Sequence, residues 1–293
     1  MPRVIAKALL QGTEAPLFAM RMVDRKLRWQ LLRRPPPFQF DIVDKLGQKD
    51  FAQRHGAEVA KTLAVIDRAE IAAAPTVLGT RLAALPSCST SNGYVLKPVH
   101  GYQNKHTYAV RSDEEELLRG DRFDVDTVAS AIAEDGAFPT YMVEELLQNE
   151  EGLSADSNLP LDFKFWCFGA TIAHCTVMCG RWRTSDSAYT VAVADCDAAY
   201  TPRPTWCALP TDAESGLVEL VDLPPKPRCW EEMVATARRL GEAVGAFSRI
   251  DFYATPNGPV FGEFQLLFDL VDWNANADDA IRRLWRGRDG AAD

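Results

Sequence analysis

The sequence predicts an α+β fold in which two lobes carry largely antiparallel sheets, preceded by a short N-terminal helical segment. The first observation is the recurrence of short strand-like stretches from Tyr94 onward: "GYVLKPV", "TYMVEELL" and "LDFKFWCFGATIAHCTVMCGRWR". The second is that single helical segments, "DTVASAIAED" and "CWEEMVATARRLGEAVGAF", are interleaved with them. The third is the late stretch "RIDFYATPNGPVFGEFQ", which alternates apolar and polar residues on both sides of a Pro-Asn-Gly turn. Antiparallel hairpins separated by single helices indicate α+β lobes, not a doubly wound parallel sheet.

Before Tyr94 the pattern is helical. The basic run "RMVDRKLRWQLLRR" stops at "PPP", where consecutive prolines remove backbone donors, so residues 1–43 form a helical segment of their own. Leu27, Trp29 and Leu31 among the basic residues fit a solvated amphipathic helix or a docking element. Then "FDIVDKLGQKDFAQRHGAEVAKTLAVI" carries Asp44 as a helix cap, with Lys45 and Lys49 on one helical face. The stretch from Val193 to Arg228 is rich in Pro, Asp and Thr without a sustained period and reads as a long loop. No internal repeat is visible.

The composition narrows the function. With 293 residues, 47% hydrophobic and 25% charged, the chain can build a large core and two or three packed lobes. A net charge of −9 gives no broad attraction to nucleic acid or to an anionic membrane, so any polyanion must be held by a local basic cluster. No apolar run approaches the roughly 18 residues of a spanning helix, and the opening residues are too weakly apolar for a secretion signal, so a cytoplasmic location is expected. The seven cysteines are scattered and odd in number, which fits reduced core thiols. Cys167, Cys175 and Cys179 with His174 invite a zinc reading, but without a close paired-cysteine spacing core packing is favoured.

In the last hairpin the period-2 rule puts Arg249, Asp251 and Tyr253 on one face of the first arm. The same rule puts Phe261, Glu263 and Gln265 on one face of the second. With the turn centred on Asn257, Asp251 faces Glu263, and two carboxylates across a strand pair repel unless a cation lies between them. Magnesium suits such a pair, because it takes hard oxygen ligands from one or two carboxylates and completes its shell with water and phosphate oxygens. The alternative is a solvated sheet face. In "GYVLKPVHGYQNKHTY", Lys97 ends a short strand and the following loop bears Gly101, Lys105 and His106. That is either an anion-binding loop or a surface hairpin. In "LDFKFWCF", Asp162, Lys164 and Trp166 share a face, and the partner strand is expected to bring Arg181 and Arg183 to it. Aligned cations of this kind call for an anionic substrate or for salt-bridge partners.

The order of these stretches resembles the ATP-grasp superfamily. More closely, "VLKPVHG", "VEELL", "DFKFWCFG" and "RIDFYATPNGPVFGEFQ" look like the TupA-like ATP-grasp family over roughly Asp44 to Asp269. The resemblance implies an ATP-grasp domain over 44–293, with a small lobe near 75–145 and a central lobe near 146–285 clasping ATP. It implies that Lys49 and Lys97 hold the phosphates and that the loop from His100 to His106, with Gly101 and Lys105, closes over them. Glu144, Glu145 and Leu147 would face adenine, largely through backbone groups, and Asp162 would bind ribose. Arg181 would meet the transferred phosphoryl group or acyl phosphate, with Lys97 and Lys164 as further catalytic candidates, while Asp251 and Glu263, with Gln265, would hold magnesium. Three features depart from the family pattern. Gln265 stands where many relatives have Asn, "LLFDLVD" replaces a Pro-Gly-rich exit, and the segment before the grasp is shorter than in many relatives.

The chemistry so implied is attack of a carboxylate on the γ-phosphate to give an acyl phosphate, which an amine then captures. The cofactors are ATP and magnesium, and the partners are small-molecule carboxylate and amine substrates. No nucleic acid and no membrane span are expected, and a homo-oligomer is compatible with the sequence. The TupA-like resemblance points to peptide-like or cell-surface polymer synthesis. A sugar or small-molecule kinase using the same ATP site, or a non-catalytic nucleotide-binding protein, are the alternatives.

Overall fold

A computed structural model describes residues 44–86, 92–100, 106–111, 114–153, 159–183, 189–206, 217–245 and 247–265. The basic N-terminal run, Gly101, Lys105 and the segment "LLFDLVD" lie outside the described residues.

The described chain opens with α1 (Lys45–Arg54), and Asp44 caps it by accepting from the Gly47 amide at 2.8 Å. Strands β1 (Glu58–Val59) and β2 (Thr62–Asp67) follow, then helices α2 (Arg68–Ala73) and α3 (Thr76–Ala83). Next come β3 (Tyr94–Pro98), β4 (Tyr108–Val110), β5 (Glu115–Glu116) and β6 (Asp121–Arg122). Helix α4 (Val125–Asp135) leads into β7 (Thr140–Glu145). The second half runs through β8 (Asp162–Phe168), β9 (Thr171–Arg183), β10 (Tyr189–Cys196) and β11 (Leu217–Leu220) to α5 (Trp230–Val244). It ends in β12 (Phe247–Thr255) and β13 (Gly258–Gln265).

These strands form two sheets with the order β1-β13-β12-β8-β9-β10-β11 in the larger and β2-β7-β3-β4-β5-β6 in the smaller. The fold is therefore α+β with largely antiparallel sheets; the parallel pairs are β1 with β13 and β10 with β11. Two elements differ from the sequence reading. "TLAVID" is strand β2, not a continuation of helix: Gly56 ends the α1 region at φ +74, and β2 pairs along β7, a partner far away in sequence. The expected long loop after Val193 also holds the end of β10 and all of β11, whose short run "LVEL" has too few residues to show a period.

Each sheet buries one face under helices. On the larger sheet Phe163, Phe165, Ile250, Phe252, Phe261 and Phe264 pack against Trp230, Met233, Ala237, Leu240 and Val244, which recur on α5 at helical spacing. Burying each such side chain stabilises by roughly 1.5–3 kcal/mol. Cys167, Cys175 and Cys196 are fully buried in this same core, and Cys179 packs at its edge. The close fit of α5 depends on Gly241, where a Cβ would lie 2.3 Å from the Gly169 carbonyl oxygen. The smaller sheet buries Leu96, Tyr108, Val110, Tyr141 and Val143 beneath Ile71, Leu78, Val128 and Ile132.

Candidate functional site

The other faces of the two sheets carry charge, and α1 joins them. Its backbone reaches the smaller sheet, where the Lys45 amide donates to the Val99 carbonyl at 3.1 Å. Its Gln48 side chain reaches the larger one, donating to the Phe264 carbonyl at 3.1 Å and accepting from the Phe264 amide at 2.9 Å. Lys45 and Lys49, on one face of α1, are thereby delivered to different carboxylates: Lys49 Nζ lies 2.7 Å from Glu144, and Lys45 Nζ lies 3.6 Å from Glu263.

Glu144 is the hub on the smaller sheet. Its buried carboxylate accepts from Lys49 through Oε2 and from Lys97 through Oε1, and Lys49 also donates to Thr62 at 3.2 Å. Burial alone would raise the Glu144 carboxyl, but Lys97 and Lys49 outweigh it and hold the group below its ordinary range. Beyond Glu144 the strand ends: the Glu145 amide donates to the Lys61 carbonyl at 3.0 Å, the Leu146 amide to the Gly93 carbonyl at 3.3 Å, and Leu147 follows directly. Val95, Ala109, Leu117, Leu118, Leu146 and Leu159 make an apolar cluster close to this strand end. His106 adopts φ +52 and pairs with Asp135 at 2.6 Å, while His100 is exposed.

On the larger sheet the turn is the two-residue Pro256-Asn257, since Thr255 pairs with Gly258. That register alone would set Asp251 opposite Gly262. A bulge between the Ile250 and Phe252 pairings shifts the register, so that Arg249 meets Gln265 and Asp251 faces the Gly262-Glu263 step. The same bulge corrects the expected face of the second arm: Phe261 is 1% exposed and in the core, whereas Glu263 and Gln265 turn away from it. Gly262 makes the bulge possible, since a Cβ there would meet the Tyr253 ring at 3.0 Å and the Asp251 carbonyl oxygen at 3.3 Å.

Asp251 is buried and clamped. Its Oδ1 accepts from Arg249 Nε at 2.6 Å, and its Oδ2 accepts from Arg249 Nη2 and Lys164 Nζ, both at 2.7 Å. Lys164 also pairs with Asp162, and Arg249 Nη2 lies 3.4 Å from Glu263. Burial would raise the Asp251 carboxyl, but Arg249 and then Lys164 hold it low; Asp251 in turn holds the Arg249 guanidinium protonated against its own burial. Tyr253 is pushed well up, first by burial and then by the charges of Asp162, Glu263, Glu144 and Asp251, so its phenol stays neutral among these carboxylates.

Lys164 is opposite Thr176 on β9, and Trp166 is opposite His174. Arg181 lies further along β9, paired with Val191, beyond the last β8 pairing, so the neighbours expected for Lys164 are replaced by Thr176 and His174. The side chains of Arg181 and Arg183 are outside the described residues. Arg249 was legible on the face of Asp251 by alternation, but nothing local marked it as the clamp. Thr62 and Asp195 carried no motif at all, because long-range pairing brings each of them in.

Among solved structures the chain is similar to the VanG D-Ala:D-Ser ligase from Enterococcus faecalis, at 17% identity and a TM-score of 0.42 over 76% of this chain and 52% of that one. It is similar to the ATP-grasp ligase PsnB complexed with minimal precursor, at 11% identity and a TM-score of 0.41 over 83% of this chain and 60% of that one. It is also similar to the D-alanine–D-alanine ligase from Bacillus anthracis, at 12% identity and a TM-score of 0.46 over 85% of this chain and 69% of that one. The chain thus spans 52% and 60% of the first two proteins' lengths. No family model and no curated protein matches it.

The whole constellation sets Lys45, Lys49, Lys97, Lys164 and Arg249 against Glu144, Asp162, Asp251 and Glu263, five cations to four carboxylates. A polyphosphate would be met there from both sheets. An ionised carboxylate offers about four lone-pair sites. The three donors on Asp251 therefore leave Oδ1 room for one more partner, and Glu263 is partly exposed, with its nearest cations at 3.4 and 3.6 Å. These hard oxygens fit a magnesium ion that draws its remaining ligands from phosphate and water.

Proposed function

We propose that this chain is an ATP-dependent, magnesium-dependent carboxylate–amine ligase of the ATP-grasp type that works through an acyl phosphate. The observation that carries the reading is the cationic set contributed by both sheets and α1 around carboxylates with free coordinating capacity. Lys49 and Lys97, fixed by Glu144, hold the inner phosphates. Lys164 and Arg249, fixed by Asp251, face the transferred phosphoryl group, with Arg181 as a further cation on the same sheet. The strand end from Glu145 to Leu147 and its apolar cluster receive the adenine, and Asp162 the ribose. Glu263 and Asp251, with Gln265 beside them, hold magnesium, which when bound offsets charge on the phosphate oxygens.

In the reaction a substrate carboxylate oxygen bonds to the γ-phosphorus as the bond to the β–γ bridging oxygen breaks. The amine then bonds to the acyl carbon as phosphate leaves. The chain's residues orient the phosphates and offset the charge spread over them, and no protein nucleophile is required. The TupA-like resemblance suggests a peptide-like or cell-surface polymer as the setting.

The first test is titration with a non-hydrolysable ATP analogue, with and without magnesium. Magnesium-dependent binding is expected in the wild type and its loss in Asp251→Ala/Glu263→Ala. Turnover assays should then show that Glu263→Ala abolishes magnesium-dependent ADP release while the protein still melts cooperatively. Unchanged turnover in that variant would sink the metal assignment.

A further inference from the structure

Cross-strand pairing carries the site face of the larger sheet past the phosphate-binding residues. Asp251 is opposite Lys164, Lys164 opposite Thr176, and Thr176 opposite Asp195, while His174 lies beside Thr176's row, opposite Trp166. Asp195 is 5% exposed and His174 2%. Asp195 Oδ1 is 2.6 Å from His174 Nε2 and 2.7 Å from Thr176 Oγ1. Because an ionised carboxylate only accepts, both of those atoms donate to it. Asp195 Oδ2 is also buried, yet among the described residues it has no hydrogen-bond partner. A carboxylate oxygen removed from water without a donor is costly, so an orphan of this kind marks a place where a donor is expected. Trp206 closes the cluster: its ring stacks on His174 at 4.3 Å and 3°, and lies 6.3 Å from the Trp166 ring.

We propose that Asp195, His174, Thr176 and Trp206 form a recognition subsite for a primary ammonium group of the acceptor substrate, with Asp195 Oδ2 as its anionic partner. The chemistry follows from what the cluster has left to offer. A guanidinium is held best by two carboxylate oxygens side by side, but Oδ1 is already taken by His174 and Thr176. A metal ion needs several ligands, and the cluster leaves one carboxylate oxygen open, since Oδ1 already accepts from His174 and Thr176. An ammonium is a compact point charge that a single carboxylate oxygen can anchor through one of its three N–H groups, whichever way the rest of the molecule turns.

Asp195 is two strand spacings from Lys164, roughly 10 Å, so the ammonium it holds is not the reacting amine. The acceptor is therefore an amine that carries a second, protonated amino group, such as a diamine or a basic amino acid. Identifying this occupant as a substrate rests on the ligase reading, whereas its binding does not.

The probe is 1,4-diaminobutane, followed by nuclear magnetic resonance of the His174 imidazole, assigned with His174→Gln. Wild type should show a saturable shift, methylguanidinium should bind about tenfold more weakly, and Asp195→Asn should lose the shift. No saturable shift in the wild type, or an equal response in a cooperatively melting Asp195→Asn, would overturn the subsite. If Asp195→Asn does not fold, the wild-type ranking decides: methylguanidinium binding as well as the diamine overturns the proposal, and weaker binding supports it. The same wild-type sample is titrated with the ATP analogue and magnesium. A diamine response without nucleotide binding would refute the ligase reading and leave the ammonium site standing, while the converse would refute only the subsite.

Discussion

At Glu144 a single carboxylate sets the position of two lysines. Both Lys49 and Lys97 end on it, at its separate oxygens; Glu144 and Lys49 are buried and Lys97 is partly buried. Removing one partner of a buried charge network typically costs about 3–5 kcal/mol, because the remaining charges stay desolvated. Glu144→Gln should therefore melt many degrees below wild type. The pH dependence has a definite sign. The folded-state pKa lies below the ordinary 4.5, so the carboxylate's stabilisation is complete above that value and is lost as pH falls through the folded one. The melting-temperature gap between wild type and Glu144→Gln should thus be widest near neutral pH and narrow as the pH falls below the ordinary carboxyl value and through the lower folded-state one. A gap that stays constant as the solution is acidified would mean that the Glu144 charge does not contribute. In the sequence Glu144 read as an acid at the end of an apolar strand. That it joins a lysine of α1 to one of β3 follows from tertiary packing, which no local pattern encodes.

At the scale of elements, α5 shows what a sequence reveals and what it withholds. Its apolar spacing from Trp230 to Val244 announces an amphipathic helix, and the helix is there. The close approach at Gly241 is not visible, because a mid-helix glycine usually just weakens the helix. Here a Cβ would stand 2.3 Å from the Gly169 carbonyl oxygen and 3.2 Å from the Cys167 Cβ, so the helix must move off the sheet to admit it. Gly241→Ala should destabilise by about 1–3 kcal/mol despite alanine's better helix propensity, and a thermal melt that rises instead would refute the contact. The β12–β13 hairpin carries the same lesson. Its turn and alternation were legible, but the bulge that sends Phe261 to the core and Glu263 to the site was not, since a single extra residue reverses the faces beyond it.

Across the whole molecule α1 bonds to both sheets and so helps to set their register around the candidate site. Gln48 is the joint on the larger sheet, making reciprocal bonds with the Phe264 amide and carbonyl, while Lys45 and Lys49 on the same helix reach carboxylates on either sheet. The antiparallel α+β architecture was readable from hairpins and helices, but this joint was not, because Gln48 and Phe264 lie 216 residues apart. Gln48→Met keeps the side-chain length and leaves two buried backbone groups without partners, at about 1–3 kcal/mol for each. Stability should fall, and so should affinity for the magnesium-bound ATP analogue, by about tenfold, although Gln48 is not among the residues assigned to the nucleotide. Lys97→Ala should give the contrasting pattern, since in the proposed function it removes a phosphate contact directly while the Gln48 joint stays in place. Its affinity loss should shrink as salt is added, because salt screens the missing charge, whereas the Gln48→Met loss should persist. Titrations of both variants at low and high salt separate the two effects, and a salt-sensitive loss in Gln48→Met would show that the helix contributes only its charges and not the registration of the sheets.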